Sequence, residues 1–152
     1  MGELISQSGT KFMLYKDLFI GKCGGCIGET SALALLIGAI ILFVRRVISW
    51  HIPVSYIATV FVITLIAGQD PIFHILAGGL FLGAFFMATD YVTSPITKKG
   101  MIIYGIGCGL ITTLLRLKGG LPEGVSFSIL FMNALTPLID RYVKRRVFGA
   151  KK

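Results

Sequence analysis

The sequence predicts an all-α integral membrane protein with about five transmembrane helices, because it is strongly apolar and its charges are widely spaced. Hydrophobic residues make up 55% of the 152-residue chain, charged residues make up 14%, and the mean hydropathy is +0.83. Soluble domains carry about 25% charged residues, so this composition lies outside their range. The remaining charges separate long uncharged runs, which is the pattern of a chain that crosses a bilayer several times. A single integral domain is expected.

Five uncharged runs define the predicted helices. They cover residues 31–44, 52–69, 71–89, 100–115 and 124–139. A helix rises about 1.5 Å per residue, so a run of about 16 residues covers roughly 24 Å of a hydrocarbon core about 30 Å thick. The charged ends should therefore lie near the headgroups. Runs this short are also compatible with tilted helices, or with broken helices buried within protein.

The distribution of Lys and Arg predicts the orientation. The chain divides into an N-terminal segment, residues 1–26, a five-span membrane domain, 27–140, and a basic tail, 141–152. Ten of the 15 Lys and Arg residues fall on the side that holds Arg45, Arg46 and the tail. Positive residues favour the cytoplasmic side, so the C-terminus should be cytoplasmic and the N-terminal segment outside. Topology and anionic lipid explain the net charge of +8, and nucleic-acid binding is not expected.

Three cysteines raise the question of a metal or redox site. Cys23 and Cys26 form a CxxC, Cys108 lies in the fourth run, and His51 and His74 stand at other spans. Zinc and iron–sulfur sites usually need four clustered ligands, which this spacing does not supply. A disulfide on the outer side or two unreactive thiols is favoured, and no metal site is predicted.

Acidic residues and glycines precede the first and last predicted helices. Glu29, Thr30 and Ser31 open the first helix, and Glu123 and Gly124 open the last, on the same predicted outer side. A glutamate and a hydroxyl at a helix start can act only as a cap, but the free N–H groups there can also hold a phosphate or carboxylate. The two helix starts are therefore a candidate for one site at the outer side.

A polar turn follows the third predicted helix, on the inner side. Its candidate residues are Thr89, Asp90, Thr93 and Ser94. The simple interpretation is a surface turn, and the functional one is the mouth of an ion path, because hard cations prefer oxygen ligands. Asp140, at the inner end of the last run, has the same ambiguity. Its neighbour Arg141 favours an interfacial ion pair.

Small and polar residues inside the runs predict how the helices pack. Gly79 and Gly83, and likewise Gly105 and Gly109, stand four apart, which lets the third and fourth helices approach closely. Asn133 in the last run should face protein and not lipid. There is no Ser/His/Asp grouping, P-loop or dinucleotide motif. The residues alone thus indicate a membrane subunit that conducts or holds something, and enzyme activity of this chain by itself is left open.

Three stretches, in order, resemble the D subunits of Rnf electron-transport complexes and their relative, the B subunit of the sodium-translocating NADH:quinone reductase. They are CIGETSALALLIGA, FFMATDYVTSPITKKG and IIYGIGCGLITTLLRLKGGLPEGVSFSILFMNALTPLIDRY. The resemblance implies a bacterial or archaeal inner-membrane complex that couples electron transfer between ferredoxin and NAD to movement of Na+ or H+. It implies the A, B, C, E and G subunits of the Rnf complex as partners. It also implies a fold of about ten spans in two inverted, urea-channel-like halves.

The resemblance further implies FMN, bound by a phosphoester to a threonine in an SGAT-type motif. The nearest string, Ser8-Gly9-Thr10-Lys11, lacks the alanine and the following threonine, so no flavinylated residue is assigned. The likeness covers only the second half of the D subunit, from just after the flavin threonine, and the missing first half is an expected partner. The N-terminal segment has no signal-peptide core and no leading span, which agrees with this expectation.

The resemblance assigns roles to both groups of candidate residues. The expected flavin-side pocket consists of Glu29, Thr30, Ser31, Glu123 and Gly124. The expected inner ion mouth consists of Thr89, Asp90, Thr93 and Ser94. A urea-channel-type solute channel without a redox role is the alternative, because fold does not decide function, and a structural remnant is a third interpretation. The sequence does not predict the coupling ion, the state of the CxxC thiols, or whether Met1 is the true start.

Overall fold

The computed structural model describes residues 31–76, 79–119 and 124–143, together with residues 16 and 19, and its ordered elements are all helices. They are α1 (Ala32–Val44), α2 (His51–Ile66), α3 (Pro71–Leu76), α4 (Leu80–Leu82, continued by the π-helical turn Gly83–Met87), α5 (Lys98–Lys118) and α6 (Gly124–Tyr142). No strand occurs within these ranges. The predicted all-α class is confirmed at this level.

Polar side chains fix where two of the helices begin. The Ser31 hydroxyl accepts a hydrogen bond from the Ala34 N–H at 3.3 Å, and the Thr97 hydroxyl accepts one from the Gly100 N–H at 3.0 Å. Each hydroxyl satisfies one of the N–H groups that a helix leaves without an internal partner. The starts of α1 and α5 are therefore set by the local sequence.

Helix α5 is the centre of the bundle and packs against α2 on one side and α6 on another. The buried residues recur at spacings of three and four on each helix, which places them on one face. The hydrophobic core consists of Ile52, Tyr56 and Val60 on α2, Tyr104 and Cys108 on α5, and Val125, Ile129 and Met132 on α6. Leu80, Ala84 and Ala88 complete this core from α4 and the residues after it.

Glycines allow close approach, but with partners other than those predicted. A Cβ on Gly105 would lie 2.9 Å from the Ile52 carbonyl oxygen, and one on Gly109 would lie 3.1 Å from the Tyr56 carbonyl oxygen. These glycines therefore bring α5 against α2, not against the third predicted helix. Gly83 instead packs on α6, where a Cβ would overlap Val125. A small-residue spacing predicts that backbones approach closely, but it does not identify the neighbour.

The third predicted helix, residues 71–89, is discontinuous. Helix α3 ends at Leu76, Gly79 adopts a left-handed conformation with φ 65°, and α4 begins at Leu80. The following π-helical turn is closed by a 2.7 Å hydrogen bond from the Ala88 N–H to the Gly83 carbonyl. The left-handed backbone at Gly79 cannot continue a right-handed helix, so the run is divided into two pieces.

The outward faces of the bundle are apolar. Many large hydrophobic side chains are exposed, including Ile40, Ile66 and Leu130. By length and composition, Lys98–Lys118 is the one helix among the described residues that could cross a membrane. Helices α1 and α2 are apolar but shorter. These features are consistent with a membrane protein, while the five crossings, the inverted repeat and the domain limits stay predictions.

Candidate functional site

The four residues predicted for the inner ion mouth lie together in the turn after α4. The Thr89 hydroxyl donates to the Phe85 carbonyl at 2.7 Å, and the Thr93 hydroxyl donates to Oδ2 of Asp90 at 3.4 Å. The Ser94 N–H donates to the Asp90 carbonyl at 3.1 Å. Asp90 is exposed, and the three hydroxyl residues are half-buried. The turn thus presents one carboxylate with a hydroxyl beside it.

A cavity of about 200 Å³, called here the inner cavity, lies beside this turn. Its lining consists of Arg46, Val47, Ile48, Ser49, Ile52, Thr89, Tyr91, Ser94 and Met101. It brings Thr89 and Ser94 together with Arg46 and Ser49 of the connection between α1 and α2. The Tyr91 hydroxyl donates to the Val47 carbonyl and fastens the turn to that connection. Two of the four predicted ion-mouth residues therefore share a cavity with Arg46.

Asp140 holds the same turn in place. Its Oδ1 accepts a hydrogen bond from the Ile96 N–H at 3.2 Å, which joins the end of α6 to the turn. The sequence favoured an ion pair with Arg141, but this is not the contact that the structure describes. Asp140 has a structural role at this end of the bundle.

The predicted outer site is described only in part. Glu29, Thr30 and Glu123 lie outside the described residues. Ser31 caps α1, and Gly124 is buried at the start of α6, where an added Cβ would lie 3.0 Å from the Cβ of Leu115. Ser31 is engaged in a helix cap and Gly124 in packing, and their assignment to a flavin-side pocket stays a prediction.

The thiols and acids that are described form no cluster. Cys108 is a free, buried cysteine of the core, whereas Cys23 and Cys26 lie outside the described residues. Within the described ranges, no three His, Cys, Asp or Glu side chains come together in a way that could hold a metal ion. The disulfide and unreactive-thiol interpretations of the CxxC both stay predictions.

Three buried hydroxyls at the centre of the bundle, called here the hydroxyl cluster, were not anticipated from the sequence. The Tyr56 hydroxyl lies 2.5 Å from the Thr112 hydroxyl and 3.1 Å from that of Ser128, and the last two are 2.6 Å apart. Ser128 also donates to the Val125 carbonyl at 2.7 Å. If Tyr56 donates to Thr112 and Thr112 to Ser128, every hydroxyl proton has an acceptor. The cluster joins α2, α5 and α6 in one network.

Two further polar contacts link the helices. The Tyr104 hydroxyl donates to Oδ1 of Asn133, which confirms that Asn133 faces protein. At the opposite end of the bundle from the inner cavity, Nη1 of Arg116 donates to the His74 carbonyl at 2.5 Å. The polar side chains within the apolar runs were visible in the sequence. Their partners were not, because each contact joins residues at least 16 positions apart.

The sequence of this chain was compared with protein families and with individual known proteins, and both comparisons identify the same family. Residues 3–149 match the NQR2, RnfD, RnfE family. The chain is 59% identical over 138 residues to the D subunit of the Na(+)-translocating ferredoxin:NAD(+) oxidoreductase complex of Acetobacterium woodii, covering 90% of this chain and 43% of the relative. It is 48% identical over 157 residues to the D subunit of the proton-translocating ferredoxin:NAD(+) oxidoreductase complex of Clostridium ljungdahlii, covering 99% and 47%.

A third relative extends the comparison to another organism. The D subunit of the ion-translocating oxidoreductase complex of Stutzerimonas stutzeri is 46% identical over 138 residues, covering 86% of this chain and 39% of the relative. The chain thus spans less than half the length of each of these three relatives. Because the family match extends over nearly all of its residues, the chain belongs to the NQR2, RnfD, RnfE family of membrane proteins.

Proposed function

We propose that this chain forms the C-terminal half of the D subunit of an Rnf-type complex, which couples electron transfer between ferredoxin and NAD to translocation of Na+ or H+. The supporting observation is the family match over residues 3–149, together with relatives named as the D subunits of such complexes. These names give no support to the alternative of a solute channel. One relative is named for Na+ and another for protons, so family membership is compatible with either ion.

The proposed partners are the A, B, C, E and G subunits of the complex, and the remaining part of the D subunit. The proposed location is the bacterial or archaeal cell membrane, with the C-terminal tail cytoplasmic and the N-terminal segment outside. The excess of Lys and Arg on the predicted inner side supports this orientation.

We infer that the inner ion mouth uses the turn after α4. Discontinuous helices bind coupling ions in many transporters, because the break frees backbone and side-chain oxygens within the membrane protein. Helix α4 follows such a break at Gly79, and its π-helical turn leads directly to the carboxylate of Asp90. The guanidinium of Arg46 at the inner cavity disfavours a cation there. A cation is therefore expected to approach the exposed face, where the Asp90 carboxylate and the Thr93 hydroxyl lie.

We propose that the flavin docks on the outer side, with its threonine attachment point outside these 152 residues. Glu29, Thr30 and Glu123 are the proposed contacts. Ser31 and Gly124 would contribute by fixing the starts of α1 and α6, which is the role their described contacts support. FMN, when bound, would supply the ability to pass on electrons one at a time.

The first experiment measures the intact mass of the native polypeptide and the ultraviolet fluorescence of its denatured gel band. We expect a band near twice the 16.5 kDa of this chain that fluoresces after denaturation, because covalent flavin survives unfolding. A dark band at 16.5 kDa would contradict the flavin assignment. Loss of ferredoxin-driven ion uptake by inverted vesicles after deletion of the gene tests the translocase assignment separately.

Replacing Asp90 by Asn in the complete complex tests the ion mouth. We expect fewer ions transported per electron, because the exposed carboxylate that attracts the cation loses its charge. Ion uptake and NADH formation are measured in the same vesicles. Asp140→Asn is the matched control: it removes one negative charge at the same end, but an amide oxygen can still accept from the Ile96 N–H. An unchanged ion-to-electron ratio in the Asp90→Asn complex would remove this assignment.

A further inference from the structure

We propose that the inner cavity binds the phosphate group of an anionic phospholipid. The inference rests on three features of that end of the molecule: the backbone at Arg46, the chemistry and size of the cavity, and the exposed aromatic residues around it. It does not depend on the redox function proposed above.

Arg46 occupies a position where glycine is usually found. Helix α1 ends with a 3.0 Å hydrogen bond from the Val47 N–H to the Leu42 carbonyl and a 2.9 Å bond from the Arg46 N–H to the Phe43 carbonyl. This is the Schellman arrangement, whose left-handed residue is commonly Gly because it lacks a Cβ. Among the described residues, Arg46, with φ 54°, is the one non-glycine residue with a positive φ. A strained backbone that carries a functional side chain is typical of a ligand-binding position.

The groups around Arg46 suit a small anion. Ser49 and Ser94 add hydroxyls beside Arg46, whereas the Thr89 hydroxyl already donates to the Phe85 carbonyl. Guanidinium groups bind phosphate through paired N–H donors. The Ser49 hydroxyl donates to the sulfur of Met101 at 3.3 Å, which is a weak acceptor that a phosphate oxygen could replace. The nearby carboxylate of Asp90 is outside the cavity lining and accepts from Thr93.

The volume of the inner cavity and the positive charge around it indicate which kind of ligand fits. The cavity, at about 200 Å³, is smaller than the roughly 300–1,000 Å³ pockets that enclose drug-sized ligands, so it suits a phosphate group and not a nucleotide. Further positive residues lie at or next to the helix ends on the same side of the bundle as the inner cavity. They are Arg45, Lys98, Lys99 and Arg141. A concentration of positive charge beside a membrane surface attracts anionic headgroups.

The surroundings of the cavity favour a lipid as the source of the phosphate. Trp50 is 64% exposed and stacks on Phe43 with ring centroids 4.2 Å apart, and Tyr91 is 73% exposed. Trp and Tyr collect at the headgroup level of membranes. Val92 and Ile96, in the same turn as Tyr91, are 88% and 64% exposed and can contact acyl chains. The cavity therefore has polar groups for a phosphate and apolar neighbours for its tails.

The experiment uses the complete complex, purified with limited lipid and carrying single substitutions in this chain. Native mass spectrometry measures retained phosphatidylglycerol after titration, with zwitterionic phosphatidylcholine as the reference lipid. Arg46→Gln should lower retention by about tenfold or more, the factor expected for loss of charge-assisted hydrogen bonds to a phosphate. Arg45→Gln is the matched control, because it removes the same charge from the adjacent residue outside the cavity lining. Its retention should fall by no more than about fivefold, the factor for general attraction of one basic residue to an anionic surface.

Arg46→Gly separates binding from folding. Glycine fits the left-handed backbone, so this variant should unfold at the same temperature as the wild type or a higher one while losing the lipid. Equal losses for the Arg45 and Arg46 variants would overturn the proposal, because the effect would then be general surface charge. Stabilisation by inorganic phosphate that depends on Arg46, with no preference for phosphatidylglycerol, would also overturn it, because the site would then serve free phosphate.

Discussion

The hydroxyl cluster is the polar contact between α2, α5 and α6, and its three residues are fully buried. Tyr56, Thr112 and Ser128 each have less than 2% of their surface exposed, and each has a hydrogen-bond partner within the cluster. Buried polar groups are costly unless they are paired. Here the pairing is between helices, so the cluster fixes the rotation and height of three helices relative to one another. This specificity is the physical role that its geometry supports.

Replacing Thr112 by Val should lower the free energy of unfolding by about 1 kcal/mol, the scale of interhelical hydrogen bonds in membrane proteins. The substitution removes the 2.5 Å and 2.6 Å contacts and leaves Tyr56 with Ser128 alone. Thr113→Val is the control, because the Thr113 hydroxyl donates to the Gly109 carbonyl of its own helix at 2.8 Å. Unfolding of the purified protein in mixed micelles measures both variants. Equal losses would show that the cluster contributes no interhelical stability.

At the scale of elements, the contact between α5 and α2 depends on the close approach of their two backbones. Ser55 and Thr59 of α2 face Gly105 and Gly109, and their hydroxyls donate to carbonyls of their own helix at 2.6 and 2.7 Å. Both hydroxyls therefore have a hydrogen-bond acceptor at this contact, and the two helices can pack together without water between them. Dispersion contacts and the small size of the glycines stabilise the pair.

Replacing Gly105 by Ala should destabilise the protein by about 1–3 kcal/mol, the usual cost of overfilling a packed core. The new Cβ would lie 2.9 Å from the Ile52 carbonyl oxygen, and a backbone atom cannot move aside without shifting α2. Gly107→Ala on the same helix is the control: its Cβ would lie 2.5 Å from the terminal methyl of Met132, which is flexible and can rotate away. Thermal unfolding in detergent compares them, and a loss for Gly107→Ala as large as for Gly105→Ala would contradict this account.

At the scale of the whole molecule, the described helix ends alternate between two sides. The inner cavity gathers residues 46–49, 52, 89, 91, 94 and 101 at one end, and Arg116 donates to the His74 carbonyl at the other. This is the arrangement expected if successive runs cross a membrane in opposite directions. The end that contains the cavity also holds more Lys and Arg, so it should be cytoplasmic.

Single cysteines can test this orientation in cells. In a variant whose three native cysteines are replaced by Ala, Gln69→Cys should react with a membrane-impermeant maleimide added outside. Val92→Cys should react only after the membrane is permeabilised, because the turn after α4 should be cytoplasmic. Both positions are exposed, so accessibility within the protein does not distinguish them. The reverse labelling pattern would show that the Lys and Arg bias does not set the orientation.

The sequence predicted elements more successfully than contacts. The positions of α1, α2, α5 and α6 follow the uncharged runs, because apolar length is a property of consecutive residues. The partner of Gly105 and the bond from Asp140 to Ile96 could not be predicted, since both depend on how distant helices meet. The sequence grouped Thr89 with Ser94 because they are neighbours in the chain. Nothing in that order indicated that Arg46 would join them.

The interruption at Gly79 has a mechanical consequence. Before Gly79, α3 is bound to α5 by the hydrogen bond from Arg116 to the His74 carbonyl. After Gly79, the π-helical turn that follows α4 packs through Gly83 against Val125 of α6. Both parts of this predicted span also pack on α2, and the left-handed Gly79 lies between their separate contacts with α5 and α6. A movement of α5 relative to α6 would act on the two parts through different contacts, and Gly79, which has no Cβ, is the residue between them whose backbone angles can change at least cost.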